Sequence, residues 1–189
     1  LFIFQNHGPA NATPGQYAQH AIDVFGQLPD RLKPHSLMQL DAGRANPEMR
    51  HQRYMALLAP LQDAGLQVLV RVADTDPRER YTLDRLEALL RAFPIVKGIE
   101  ITGMEFNVYD PVFSGEPEIS PEVRWLIGAI DIAARYGRFA YLSFEGMKWQ
   151  RIMANLASAP LYEKISECRD YVIPACLQRG PHTIAGTSA

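Results

Sequence analysis

The chain has 189 residues, 47% of them hydrophobic and 21% charged, with a formal net charge of −2 and two cysteines. That is the composition of a globular domain large enough to bury a substantial core. No apolar run approaches the roughly 18 residues of a membrane-spanning helix. Basic charge is not clustered into a nucleic-acid footprint, and two cysteines are too few for a disulfide scaffold. Neither a membrane nor a nucleic acid is expected as a partner.

Six apolar runs read as strands, each stopping at polar or turn-forming residues: Leu1 to Gln5 before Asn6-His7-Gly8-Pro9, Ser36 to Leu40 before Asp41, Leu66 to Ala73 before Asp74, Val96 to Thr102 before Gly103, Phe139 to Phe144 before Glu145, and Tyr171 to Ala175. Their near-continuous hydrophobicity fits parallel strands covered on both faces. Helical patterns alternate with them. The first is expected over about Gln16 to Leu28. Asn46-Pro47-Glu48 starts the second with a capping side chain, a proline and an acid. Its stripe is Tyr54, Leu57, Leu58 and Leu61, and Ala64-Gly65 ends it. Thr82 caps the third, with Leu83, Leu86 and Leu90 on one face. Ser120-Pro121-Glu122 opens the fourth, with Val123, Ile127, Ile130 and Ala134 as its stripe and Gly137 as its stop. A short helix is expected after Glu145 and another around Leu161 to Cys168.

Alternating strands and helices indicate a parallel α/β fold. The first strand–helix junction lacks the Gly-x-Gly-x-x-Gly turn of a dinucleotide-binding sheet, and there is no phosphate-binding loop. Strand ends rich in Asn, Asp and Glu suit a (β/α)8 TIM barrel, in which every strand delivers a side chain to one mouth. Six units at about 31 residues each, against roughly 250 residues for eight, make the barrel incomplete. The C-terminal part of the module is expected to be missing, this stretch to be inactive alone, and its first and last strands to make it poorly soluble.

Barrel chemistry gathers at the C-terminal ends of the strands. Glu105 follows the fourth strand and Glu145 the fifth. Two carboxylates on neighbouring strand ends can divide the acid and base work of glycosidic hydrolysis. Helix capping or an arginine pair would explain either acid as well. Glu100, flanked by Ile99 and Ile101, must enter the barrel or find a partner; Arg71 in the third strand is that partner, and the pair reads more readily as structural than as catalytic. Candidate substrate contacts are Asn6, His7, Asp41, Arg71, Asn107, Tyr109, Lys148, Trp149 and His182. These residue types stack on sugar faces or bond hydroxyls, but turn formation or packing would explain several of them. The five histidines have no metal-ligand spacing, Cys168 and Cys176 form no Cys-x-x-Cys, and no Gly-x-Ser-x-Gly elbow occurs. Neither metal nor cofactor is expected.

Several stretches resemble the family 98 glycoside hydrolases. These are Leu28-Pro29-Asp30-Arg31-Leu32-Lys33-Pro34-His35-Ser36 leading into Leu37 to Leu40; Phe93-Pro94-Ile95-Val96-Lys97-Gly98-Ile99 followed by Glu105; Ala133-Ala134-Arg135-Tyr136-Gly137 before the strand Arg138 to Phe144; and Tyr171 to Gly180 followed by Gly186-Thr187-Ser188. The resemblance implies a (β/α)8 catalytic module that cleaves internal galactosidic bonds of complex glycans with inversion, in an extracellular or periplasmic setting. It makes Glu105 the acid and places Glu145 on the basic side. The sequence departs from the pattern where Gly103-Met104 displaces the acid, where Glu145 stands in place of an expected Asp, and where a further basic-side carboxylate falls beyond Ala189. Two alternatives stand beside this reading. One is a non-catalytic carbohydrate-binding barrel; the other is a different TIM-barrel enzyme, which would need a strand-end lysine or a phosphate site.

Overall fold

A computed structural model describes residues 2–6, 11–42, 46–73, 80–102, 121–145 and 159–177. Six strands form one parallel sheet in the order β1-β2-β3-β4-β5-β6: β1 Phe2–Asn6, β2 Ser36–Leu40, β3 Val68–Ala73, β4 Val96–Thr102, β5 Phe139–Glu145 and β6 Val172–Leu177. The helices are α1 Pro14–Gly26, α2 Pro47–Asp63, α3 Leu83–Ala92, α4 Pro121–Arg135 and α5 Ala159–Glu167. Each strand pairs with its sequence neighbour, so the order has no reversal of the kind that makes the crevice of a doubly wound sheet. Among the described residues the sheet is not closed: no pairing joins β6 to β1.

Right-handed crossovers in constant sequential order put all connecting helices on one face. The core follows that rule. Met38 and Leu40 of β2, Val68, Val70 and Val72 of β3, Ile99 and Ile101 of β4, and Ala140 and Leu142 of β5 pack with buried residues of all five helices. The alternate strand positions form a separate, smaller cluster. Leu37, Leu69 and Tyr141 are buried there, with Ile3, Phe139 and Ile173 packed against them. Among the described residues no helix residue belongs to it. Gly98 makes room for it: a Cβ at that position would stand 2.5 Å from the Phe139 ring.

Local signals account for most element ends. Asn46 accepts the Met49 N–H and Thr82 the Arg85 N–H, each capping its helix. Gly65 and Gly137 adopt φ of +71° and +63°. The Leu66 N–H then reaches the Leu61 carbonyl and the Gly65 N–H that of Gln62; Arg138 and Gly137 repeat the motif on Ala133 and Ala134.

Some expected bounds change. α1 starts at Pro14, not Gln16, because Thr13 and Gln16 cap it reciprocally. β3 starts at Val68, not Leu66, because Leu66 closes the end of α2. β1, β5, α5 and β6 shift by one or two residues: β1 runs to Asn6, β5 to Glu145 and β6 to Leu177, and α5 begins at Ala159. The buried residues of α4 are Val123, Leu126, Ala129, Ile130, Ile132 and Ala133; Ile127 and Ala134 are only half-buried. This helix is apolar almost all round, so periodicity alone does not select the stripe. The helix expected just after Glu145 lies outside the described residues.

Candidate functional site

Strand parity gathers polar side chains on the face away from the helices. Arg71 of β3 is the register partner of Glu100 of β4. Its Nε donates to Glu100 Oε2 at 3.0 Å, and its Nη1 donates to Asp41 Oδ2 at 2.8 Å. Gln39 of β2 also donates its Nε2 to Glu100 Oε2. Side-chain exposure rises from 5% at Glu100 through 20% at Arg71 to 27% at Asp41. The relay therefore runs from the interior towards solvent at the C-terminal ends of β2 and β3. Two carboxylates face one guanidinium, an arrangement of short charge-assisted bonds.

Glu100 accepts two N–H donors on one oxygen. That geometry makes it an anchor for Arg71 and a poor candidate for donating a proton. Beside it, Tyr141 is the register partner of Glu100 in β5. Burial and then the Glu100 charge raise its phenol above the ordinary value, which keeps the hydroxyl protonated.

Helix side chains hold the backbone around Asp41. Tyr54 of α2 is fully buried, and its hydroxyl lies 2.6 Å from the Arg71 carbonyl and 3.1 Å from the Leu40 carbonyl. The Ala42 N–H donates to the same oxygen at 3.3 Å. Arg53 Nη1 donates to the Ala42 carbonyl at 3.0 Å. Burial first of all raises the phenol of Tyr17 of α1, and the nearby Asp41 charge adds to it.

Of the residues singled out in the sequence, Asp41 and Arg71 are brought into contact. Asn6 ends β1 opposite Leu40, and Glu145 ends β5 opposite Leu177. Glu105, His7, Asn107, Tyr109, Lys148, Trp149 and His182 lie outside the described residues. Gln39, Tyr17, Tyr54 and Tyr141 are additions. Gln39 carried a signal, as a polar residue within an apolar strand; Tyr54 was read as part of an apolar stripe, and Tyr17 and Tyr141 had no signal of their own. Among the described residues no three His, Cys, Asp or Glu side chains group to hold a metal ion, and no helix is long and apolar enough to cross a membrane.

Neither a family model nor a curated protein matches the sequence. Solved structures do match in fold, and they define a distant similarity to a glycoside hydrolase catalytic module. One is the catalytic module of a family 98 glycoside hydrolase from Streptococcus pneumoniae TIGR4 in complex with the LewisY pentasaccharide blood group antigen. It superposes with a TM-score of 0.65 at 14% identity, over 92% of this chain and 31% of that one. The same module with the H-disaccharide blood group antigen gives 0.63, and its native form 0.61, at the same identity and coverage. The chain thus spans about a third of the length of the structures it matches.

Proposed function

We propose that this chain forms six strand–helix units of a (β/α)8 barrel that binds and hydrolyses glycans. The observation that carries the reading is the fold match to family 98 modules over 92% of the chain. The sequential strand order, the helices on one face and the polar relay at the strand C-terminal ends agree with it.

In this reading Glu105 is the general acid and Glu145 serves the basic side. Thr102, the last residue of β4, pairs with Ser143 of β5. In sequence, Glu105 follows Thr102 by three residues and Glu145 follows Ser143 by two. Glu100 sits four residues below the level of Glu145, about 13 Å along the strand, and is engaged by Arg71 and Gln39. An inverting pair separated by roughly 6.5–9.5 Å leaves room for the attacking water. Asp41 and Arg71 bind sugar hydroxyls, and Asn6, His7, Asn107, Tyr109, Lys148, Trp149 and His182 complete the candidate contacts. The substrate is a complex glycan with internal galactosidic bonds, met outside the cytoplasm.

The test is hydrolysis of defined galactose-containing oligosaccharides by this chain and by any longer natural polypeptide that carries it. Glu105→Gln is expected to abolish release of reducing ends while glycan binding persists. Release by the Glu105→Gln variant at the unmodified rate overturns the acid assignment. Binding without release by the unmodified protein favours the carbohydrate-binding alternative, which the Asp41–Arg71 pair equally supports.

A further inference from the structure

The β2–β3 ladder pairs Met38 with Val68, Gln39 with Leu69 and Leu40 with Val70, and goes no further. The next level is that of Asp41 and Arg71, the two residues whose side chains meet beyond it. At this level helix side chains take the place of the ladder. Tyr54 contacts the carbonyls of Leu40 and Arg71 and accepts from Ala42, so one hydroxyl spans the ends of two strands. Arg53 of the same helix takes the Ala42 carbonyl. Backbone groups of Leu40, Ala42 and Arg71 are thus engaged by α2, while the Asp41 side chain remains partly open to solvent. A segment that needed only to turn would not require so complete a set of partners. Holding a ligand-contacting group through its surroundings is how a site is preorganised.

We propose that Tyr54, assisted by Arg53, is a positioning residue that fixes Asp41 against Arg71 for contact with a sugar hydroxyl. The sugar contact rests on the carbohydrate reading given above; the positioning of Asp41 and Arg71 does not. Tyr54 acts through the backbone and does not touch the ligand.

The test uses Tyr54→Phe, which keeps the buried ring and removes only the hydroxyl, and Arg53→Met, which keeps the aliphatic stem and removes the guanidinium, as a second variant. The first readout is hydrogen exchange at the Arg71 Nε–H, followed by nitrogen-15 NMR at constant pH. The second is affinity for the H-disaccharide, used as the probe. The expected result is Arg71 exchange at least about fivefold faster and probe affinity about fivefold weaker, the size of one lost hydrogen bond, with cooperative unfolding retained. Unchanged Arg71 exchange in a folded Tyr54→Phe protein overturns the proposal. So does unchanged affinity beside a wild type that binds the probe. If the wild type binds no probe, the carbohydrate reading fails and the Arg71 exchange alone decides the positioning role. If Tyr54→Phe does not fold, Arg53→Met decides: faster exchange supports positioning through the backbone beyond β2, and unchanged exchange overturns it.

Discussion

Arg71 and Glu100 are register partners on adjacent parallel strands and are joined by a bond of 3.0 Å from Nε to Oε2. The pair sits where the apolar floor of the inner sheet face gives way to polar side chains. Leu37, Leu69 and Tyr141 lie on the same face in the buried cluster, and Asp41 stands beyond the pair towards solvent. Glu100 is almost wholly buried, and Arg71 is its cationic partner.

Removing Arg71 should therefore be costly. Arg71→Leu strands a buried carboxylate and is expected to destabilise the protein by about 3 kcal/mol. Arg71→Leu with Glu100→Leu should recover much of that loss, since a buried ion pair often exchanges for apolar residues at little net change. Urea denaturation of both variants checks the difference. Equal stability of the single and double variants would show that the pair is not coupled.

Gly98 is under a steric constraint. Gly98→Ala places a methyl 2.5 Å from the Phe139 ring, and overpacking of this kind costs about 1–3 kcal/mol. Phe139→Leu in the same chain should relieve part of it, giving a non-additive double-mutant cycle. Denaturant midpoints of the four proteins measure the coupling.

The pH response has two windows. Burial, and then the charge of Arg85, lower the His51 pKa below its usual 6.5, against a smaller raising effect of Glu48; the ring contacts the Tyr81 hydroxyl. Folding thus favours the neutral imidazole. Its contribution is complete above 6.5 and is lost as pH falls through the lower folded-state value. Asp131, lowered first by its bond from Arg135, contributes above its usual 3.8 and is lost only at more acid pH. Melting temperatures between pH 7.5 and 5 should fall, and His51→Gln should flatten that slope while leaving the step below pH 4.

Capping of α2 bears on the site because that helix carries Tyr54 and Arg53. Asn46→Ala removes the acceptor for the Met49 N–H and should cost about 1 kcal/mol. Asn46→Ser should restore most of it. Thermal unfolding of the two variants makes the comparison.

The alternation of elements was legible because both periods were clear. The bounds of β2 and β4 and the caps Asn46 and Thr82 follow directly from local residues. The Arg71–Glu100 pair was legible for a physical reason: a carboxylate between Ile99 and Ile101 has to find a cation. Tyr54 was read only as part of an apolar stripe, because periodicity registers its ring and not its hydroxyl. Pro14 and Gly15 fell outside the expected first helix, although Thr13 and Gln16 cap each other across them. Gln39 became meaningful only once register set it beside Glu100. For Glu100 and Glu105, strand parity predicts opposite sides only if β4 continues unbroken, and β4 ends at Thr102.

The most direct test of the carbohydrate reading is a crystal structure of this chain, or of a longer natural polypeptide carrying it, soaked with the H-disaccharide. The account predicts sugar density at the C-terminal ends of β1 to β6, with a hydroxyl within hydrogen-bond distance of the Asp41 carboxylate and the Arg71 guanidinium. Sugar bound only on the helix-covered side, or strand ends left empty at saturating sugar, would contradict it.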